Sequence, residues 1–174
     1  MKVVITILFS LLFSKVIFAN GDFRSEAKKI LKPIKKAFMK ELQVGLKNGP
    51  YNAVDSCHLK APHLIEHDFS SKYQFGRTSN KIRNPQNEPK TWLKNILKEY
   101  EGTNIEQKKG PGLYKLDNGK QVYVEPIYLK SVCLQCHGSP KSSVLKRLKK
   151  FYPHDRATGY KAGDFRGLFW LKEK

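Results

Sequence analysis

Acidic residues, cysteines and methionines are scarce in this sequence of 174 residues. Only 15 Asp and Glu stand against 33 Lys and Arg, which gives a formal net charge of +18. Three cysteines are too few for the disulfide framework of a small secreted domain, and their odd number leaves one without a partner. The composition, 40% hydrophobic and 28% charged, is typical of a globular protein. With 174 residues, the chain is also long enough to bury its own core as one domain.

A long apolar run is also missing, apart from a short stretch at the N-terminus. Residues 3–13 are predominantly apolar, follow a lysine and precede the small residue Ala19. A transmembrane helix needs about 20 apolar residues, whereas this pattern is typical of a secretory signal peptide, although Ile17 replaces the usual small residue. We therefore predict a signal peptide over residues 1–19, a periplasmic location and a mature domain over residues 20–174. The alternative is an uncleaved or lipid-proximal anchor.

The basic residues are spread along the whole chain and do not form a dense arm interleaved with aromatics. A basic arm of that kind would indicate nucleic-acid binding, and export would also remove the protein from nucleic acid. We predict a solvated basic surface with at most peripheral membrane contact. The alternative is electrostatic steering toward an acidic redox partner or an anionic membrane face.

Hydrophobic periodicity predicts helices first and mainly antiparallel strands afterwards. The predicted helices cover residues 22–47, 51–66 and 91–100, with a partly helical basic insert at 141–150. The predicted strands cover residues 73–77, 113–116, 121–127 and 165–171, with a hairpin turn at 117–119 and an interruption at Gly167. Pro33 is expected to kink or divide the first helix. This order of elements favours an α+β fold.

The second predicted helix carries the isolated cysteine, Cys57. Val54, Cys57, Ala61 and Leu64 recur at steps of three or four residues. That spacing places them on one helical face. Cys57 is therefore predicted to point toward the interior.

Residues 133–137 read Cys-Leu-Gln-Cys-His, which is the attachment sequence of c-type haem. Two thiols about one helical turn apart can each bond to one haem vinyl group, and the histidine that follows is then placed under the iron. The motif predicts one covalently bound haem c, attached through Cys133 and Cys136, with His137 as an iron ligand.

Two other sites are compatible with the same cysteines. A thioredoxin-like disulfide between Cys133 and Cys136 would need a βαβ setting, which the predicted elements do not provide. A zinc site formed by Cys57 together with the motif residues is chemically possible. Cys136 and His137 are neighbours whose side chains diverge, however, so they would chelate one ion poorly.

Five stretches carry a resemblance to a known family. They are residues 57–62 (CHLKAP), 76–89 (GRTSNKIRNPQNEP), 133–140 (CLQCHGSP), 152–160 (YPHDRATGY) and 163–167 (GDFRG). In this order and spacing they resemble the single-haem-c, PAS-like sensor domain family, formerly a domain of unknown function. Its members occur alone as exported haem proteins or at the sensing end of signalling proteins. The basic insert at 141–150 departs from the family pattern.

The resemblance implies a PAS-like fold, with an antiparallel sheet and N-terminal helices. It also implies an iron held by His137 on one side and by the thiolate of Cys57 on the other. A free thiol in an oxidising compartment is a liability, which iron binding would remove. The competing ligands are His58, Met39 and His154, and a buried structural cysteine is the alternative role for Cys57.

Further residues in these stretches are candidates for contacts with the haem. Arg77, Lys81 and Arg83 form a basic cluster suited to the haem propionates, or else a solvated strand edge. Tyr152 and Tyr160 are expected to wall the haem pocket, or else to pack in the core. The pairs Asp155 with Arg156 and Asp164 with Arg166 are predicted to be structural ion pairs or turn caps.

Three functions are compatible with such a site. The preferred one is a sensor of redox state or of a diatomic gas (NO, CO or O2) that acts through a signalling or redox protein partner. The second is a small electron-transfer cytochrome c. The third is a haem enzyme such as a peroxidase, with His58, His63 or His67 as the distal group. We expect a protein that is not an enzyme.

Overall fold

Helices pack on both faces of an antiparallel sheet in this protein. Its computed structural model describes residues 22–60, 72–102, 107 and 109–174. The helices are α1 (Phe23–Lys47), α2 (Gly49–Lys60), α3 (Thr91–Lys98), α4 (Leu134–His137) and α5 (Ser142–Phe151). The strands are β1 (Tyr73–Thr78), β2 (Gly112–Lys115), β3 (Gln121–Tyr128) and β4 (Phe165–Glu173). Short 3₁₀ turns occupy Pro85–Asn87 and Ser131–Cys133. The predicted α+β class and each predicted strand are confirmed. The predicted signal peptide and residues 61–66 of the second helix lie outside the described residues.

Helix α1 is continuous through Pro33, so of the two expected effects, a kink or a division, the division does not occur. Asp22 caps its N-terminus by accepting a hydrogen bond from the backbone of Arg24. Pro33 lies on the exposed side of the helix. The carbonyl that loses its intrahelical donor there can therefore bond to water, which makes the proline tolerable.

The sheet places the last strand of the chain at its centre. Its order is β1-β4-β3-β2, and every neighbouring pair is antiparallel. Gly76 of β1 lies opposite Trp170 of β4, and a Cβ at Gly76 would lie only 2.6 Å from the indole ring. Gly167 does not end β4, although the pairing of β4 with β3 shifts register beside this residue, between Ile127 and Tyr128. It adopts a φ of 151° beside the carbonyl of Thr78, which allows β4 to continue.

The two faces of the sheet bury separate apolar clusters. On one face, α1 packs against Tyr123 and Leu171. On the other, α3 packs against Val122, Val124 and Trp170. The sheet is thus covered by helices on both sides.

A third, smaller cluster joins α2 to α5 and lies next to the Cys-x-x-Cys-His motif. It consists of Val54, Val144 and Leu148, with Cys136 packed against it. Arg147 of α5 also forms an ion pair with Asp55 of α2. In the described part of the chain, no helix is long and apolar enough to cross a membrane.

Candidate functional site

The Cys-x-x-Cys-His motif forms one tight turn, in which α4 directly follows a 3₁₀ turn. Its two thiols, Cys133 and Cys136, are free and half-buried. Burial raises the pKa of Cys136, which the charge of Arg83 partly offsets. The sheet in the described residues is wholly antiparallel. The βαβ setting of a thioredoxin-like site is therefore absent from the described residues, which disfavours this alternative.

One ring nitrogen of His137, Nε2, carries no proton and keeps its lone pair. Its Nδ1 lies 2.7 Å from the carbonyl oxygen of Ala157. A carbonyl only accepts hydrogen bonds, so Nδ1 carries the proton and Nε2 keeps its lone pair. Burial, reinforced by the charges of Arg83 and Arg166, lowers the pKa of His137 to about 3. The ring is therefore neutral at pH 7 and is held in the tautomer that a metal ligand needs.

The chain at 155–160 closes over the motif through backbone hydrogen bonds. Gly159 donates to the carbonyl of Gly138 at 2.8 Å, and Tyr160 donates to the carbonyl of His137 at 3.0 Å. The ring of Tyr160 lies edge-on to the imidazole, with the two centroids 6.3 Å apart. The structure thus places Tyr160 beside His137.

Arg83 braces the motif from the other side. Its guanidinium donates to the carbonyl of Cys136 at 2.6 Å and to that of Ala157 at 3.2 Å, and it bonds the carboxylate of Asp155 at 3.0 Å. Asp155 is thus a structural residue, as predicted, but its ion-pair partner is Arg83 and not Arg156. Asp155 does cap a turn, because its other oxygen accepts from the backbone of Ala157.

Arg77 points into the site and has a buried nitrogen without a hydrogen-bond partner. Its guanidinium lies 4.4 Å above the ring centroid of Phe38, and its Nε is fully buried. Burial and the nearby charge of Arg166 lower the pKa of Arg77 to about 10. The unpaired Nε favours an anionic oxygen acceptor beside Arg77. The buried hydroxyl of Thr78 also has no hydrogen-bond partner, but successive residues of a strand point to opposite faces of the sheet, so it lies on the other face from Arg77.

Arg166 is a site residue for which only a structural role was predicted. Asp164 and Arg166 were expected to form an ion pair or a turn cap, and the turn cap is confirmed, because Asp164 accepts from the backbone of Lys161. The half-buried guanidinium of Arg166 lies over the ring of Tyr160, 5.6 Å from its centroid. The only signal for this position was its place in the GDFRG stretch.

The three residues of the predicted basic cluster therefore lie in different surroundings. Arg77 faces the interior and Arg83 braces the motif. Lys81 is exposed, with its ammonium group 4.8 Å from the ring centroid of Tyr160.

Cys57 lies near the motif, on helix α2, which contacts α4. The thiol is half-buried, and burial raises its pKa, while Arg77 and Arg83 act in the opposite direction. The charges of Cys57 and Cys136 influence each other. The prediction that Cys57 faces the interior is consistent with these neighbours.

The neighbouring residue, His58, has different surroundings. Its ring stacks on Phe151 with 4.1 Å between centroids, and its Nδ1 lies 3.1 Å from the hydroxyl of Tyr152. Tyr152 is thus placed against α2. Of the other competing ligands, Met39 is 38% exposed and His154 is exposed. His63 and His67 lie outside the described residues.

The proposed zinc donors do not form a chelating group. Among the residues that the structure describes, no three His, Cys, Asp or Glu side chains are clustered to hold a metal ion. An imidazole and a single thiol that approach one planar cofactor from opposite sides need no such cluster.

Comparison with known proteins supports the resemblance seen in the motifs. The model of the Tll0287-like family matches residues 18–172. The chain is also similar to the crystal structure of the cyanobacterial haem protein Tll0287, with 21% identity and a TM-score of 0.66 over 88% of this chain and 95% of that one. No curated protein matches the sequence. The structural likeness confirms the predicted PAS-like arrangement of N-terminal helices and antiparallel sheet.

Proposed function

Because this chain belongs to the Tll0287-like family, we propose that it is an exported protein that binds one haem c and does not act as an enzyme. The haem is attached covalently through Cys133 and Cys136, and His137 is an iron ligand. One observation carries this proposal. Nδ1 of His137 is bonded to the carbonyl of Ala157, so the neutral Nε2 is held ready for a metal directly after the two free thiols.

The charge of the site also fits a haem. Burial and the nearby charge of Arg166 lower the pKa of Arg77, which also has a buried Nε without a partner. Haem propionates are carboxylates, which supply the anionic oxygens that such guanidinium groups bind. We assign Arg77 and Arg166 to this role. Arg83 instead positions the motif through its bonds to two carbonyls.

Cys57 is the proposed second iron ligand. When bound, haem iron supplies a reversible one-electron change and an axial position that a side chain can occupy or leave. The thiol of Cys57 must give up its proton to act as a ligand. The charges of Arg77 and Arg83 favour the resulting thiolate.

A sensor of redox state or of NO, CO or O2 is the proposed activity. Cys57 is carried by α2, whose main contacts are with other helices and not with the sheet. Leu59, two residues later, is 61% exposed. A small movement of α2 would therefore withdraw the thiol without disturbing the sheet, and a partner protein would respond to that movement.

An electron carrier is the alternative function. Val132 is 38% exposed and Cys133 is half-buried. The edge of a haem attached there would be accessible to a redox partner. The excess of lysine on the surface would steer an acidic partner toward it.

Haem retention tests the cofactor. The protein is produced together with a haem c maturation system and stained for haem after denaturing electrophoresis. The wild type should stain and the variant C133A/C136A should not. The matched control is C57A, which loses a thiol but should keep the covalent haem. An unstained wild-type band would refute the proposal.

Gas binding by the same purified protein separates the two functions. Reduced sensor protein should bind carbon monoxide or nitric oxide, because the thiol can leave the iron. A carrier should keep both axial ligands in either oxidation state and remain inert to both gases. Inertness together with fast electron exchange would establish the carrier instead.

A further inference from the structure

The outer face of α1 is a continuous stripe of lysines, and it is independent of the haem site. Its members are Lys28, Lys29, Lys32, Lys36, Lys40 and Lys47, all of them exposed. At 3.6 residues per turn they fall within about a third of the helix circumference, and at 1.5 Å per residue they span about 28 Å. The other side of α1 is buried on the sheet.

No acidic side chain of α1 lies within this lysine stripe. Glu26 accepts a hydrogen bond from Tyr73, and Glu41 is half-buried on the opposite side. Lys35, which lies outside the stripe, forms an ion pair with Glu125. In the described part of the chain, the six stripe lysines form no ion pair. The stripe therefore presents about six positive charges directly to solvent.

We propose that the lysine stripe docks this protein on an anionic lipid bilayer. A straight row of similar charges on a rigid helix matches a flat array of phosphate headgroups. The stripe contains no aromatic residue and no alternation of charge by which a shaped protein surface would be recognised. Each lysine held near an anionic leaflet raises the partition coefficient of the protein onto the bilayer about fivefold.

The chain upstream of α1 supports a bilayer as the occupant. The apolar stretch at residues 3–13 ends ten residues before Phe23, where α1 begins. Such a stretch enters a membrane, whether as a signal segment or as an anchor. It therefore delivers the beginning of α1 to the membrane surface.

Vesicle sedimentation tests this docking. The purified full chain is mixed with vesicles of neutral lipid alone or with added anionic lipid, and the measured quantity is the ratio of the two partition coefficients. That ratio removes any binding by the apolar N-terminal stretch. The wild type should prefer anionic vesicles, and K32Q/K36Q/K40Q should lower the preference about a hundredfold.

The matched control removes the same charge from the other side of the molecule. Lys94 and Lys98 lie on α3, across the sheet from α1, and Lys115 is on β2; all three are exposed. The variant K94Q/K98Q/K115Q should lower the preference by less than about fivefold. Equal losses in the two variants would mean that net charge alone is responsible. That result would overturn the proposal, as would a wild type without preference or one that binds soluble polyglutamate more tightly than anionic vesicles.

Discussion

At the scale of single residues, two adjacent side chains of α2 have different neighbours. His58 is held by Phe151 and Tyr152, whereas Cys57 lies among arginines near Cys136. A helix turns by about 100° per residue, so both side chains cannot reach the same point. His58 is thus already engaged with α5, which leaves Cys57 as the favoured second iron ligand.

Replacing these two residues separately tests that assignment. In the oxidised protein, Cys57→Ala should abolish the low-spin resonance with thiolate character, because no other described thiol can replace it. His58→Ala should retain the signal, since it removes only a stacking contact and a hydrogen bond. Electron paramagnetic resonance of both haem-loaded variants makes the measurement. An unchanged spectrum in Cys57→Ala would eliminate this ligand and the proposed redox switch.

The sequence predicted the local part of the site better than its distant part. Cys133, Cys136 and His137 lie within one short motif, so their chemistry could be inferred from the sequence without knowledge of the fold. Asp155 acts across the chain, on Arg83, whereas Arg166 contacts the nearby Tyr160. The turn-cap roles of Asp155 and Asp164 were predicted correctly. The ion-pair partner of Asp155 could not be predicted, because the fold and not proximity along the chain selects it.

At the scale of elements, the basic insert at residues 141–150 supports α2. Its helix, α5, buries Val144 and Leu148 against Val54. Arg147 adds an ion pair with Asp55. The insert therefore holds the helix that carries Cys57 in place.

Leu148→Ala should weaken this support. Leu148 is 2% exposed, and truncating a buried leucine costs about 2–5 kcal/mol in the free energy of unfolding. The fraction of oxidised protein with thiolate ligation should fall as well, because α2 is less firmly placed. Denaturant unfolding and the absorption spectrum provide the two measurements.

The same helix offers the control. Leu145 is 36% exposed, so Leu145→Ala should change neither quantity appreciably. If Leu148→Ala lowers stability but leaves the ligation unchanged, α5 stabilises the fold without positioning Cys57.

At the scale of the whole molecule, β4 connects the strands of the sheet with the apolar clusters on its two faces. It pairs with both β1 and β3, and its residues enter the clusters on both faces of the sheet. Periodicity predicted the individual elements well because each has a clear apolar face. It could not predict the strand order, which depends on contacts between residues far apart in the chain.

Gly167→Ala should therefore destabilise the entire fold. The new Cβ would lie 2.1 Å from the carbonyl oxygen of Thr78, at a φ of 151°. We expect a loss of at least about 2 kcal/mol in the free energy of unfolding, measured by circular dichroism. Gly119→Ala has a φ of 80° but no atom within 4 Å of the new Cβ, so its loss should be only about 1 kcal/mol. Equal losses would exclude the close approach of β1 and β4 as the cause.

The central position of β4 also sets an order of events during biogenesis. Residues 133–137 are synthesised before β4, and the sheet cannot join β1 to β3 until β4 is present. The segment at 155–160, which closes over the motif, is likewise made later. A chain that emerges N-terminus first thus exposes Cys133 and Cys136 for an interval before the native structure can form. Under the proposed function, haem would be attached to the two thiols during this interval, and the later segments would then cover the finished site.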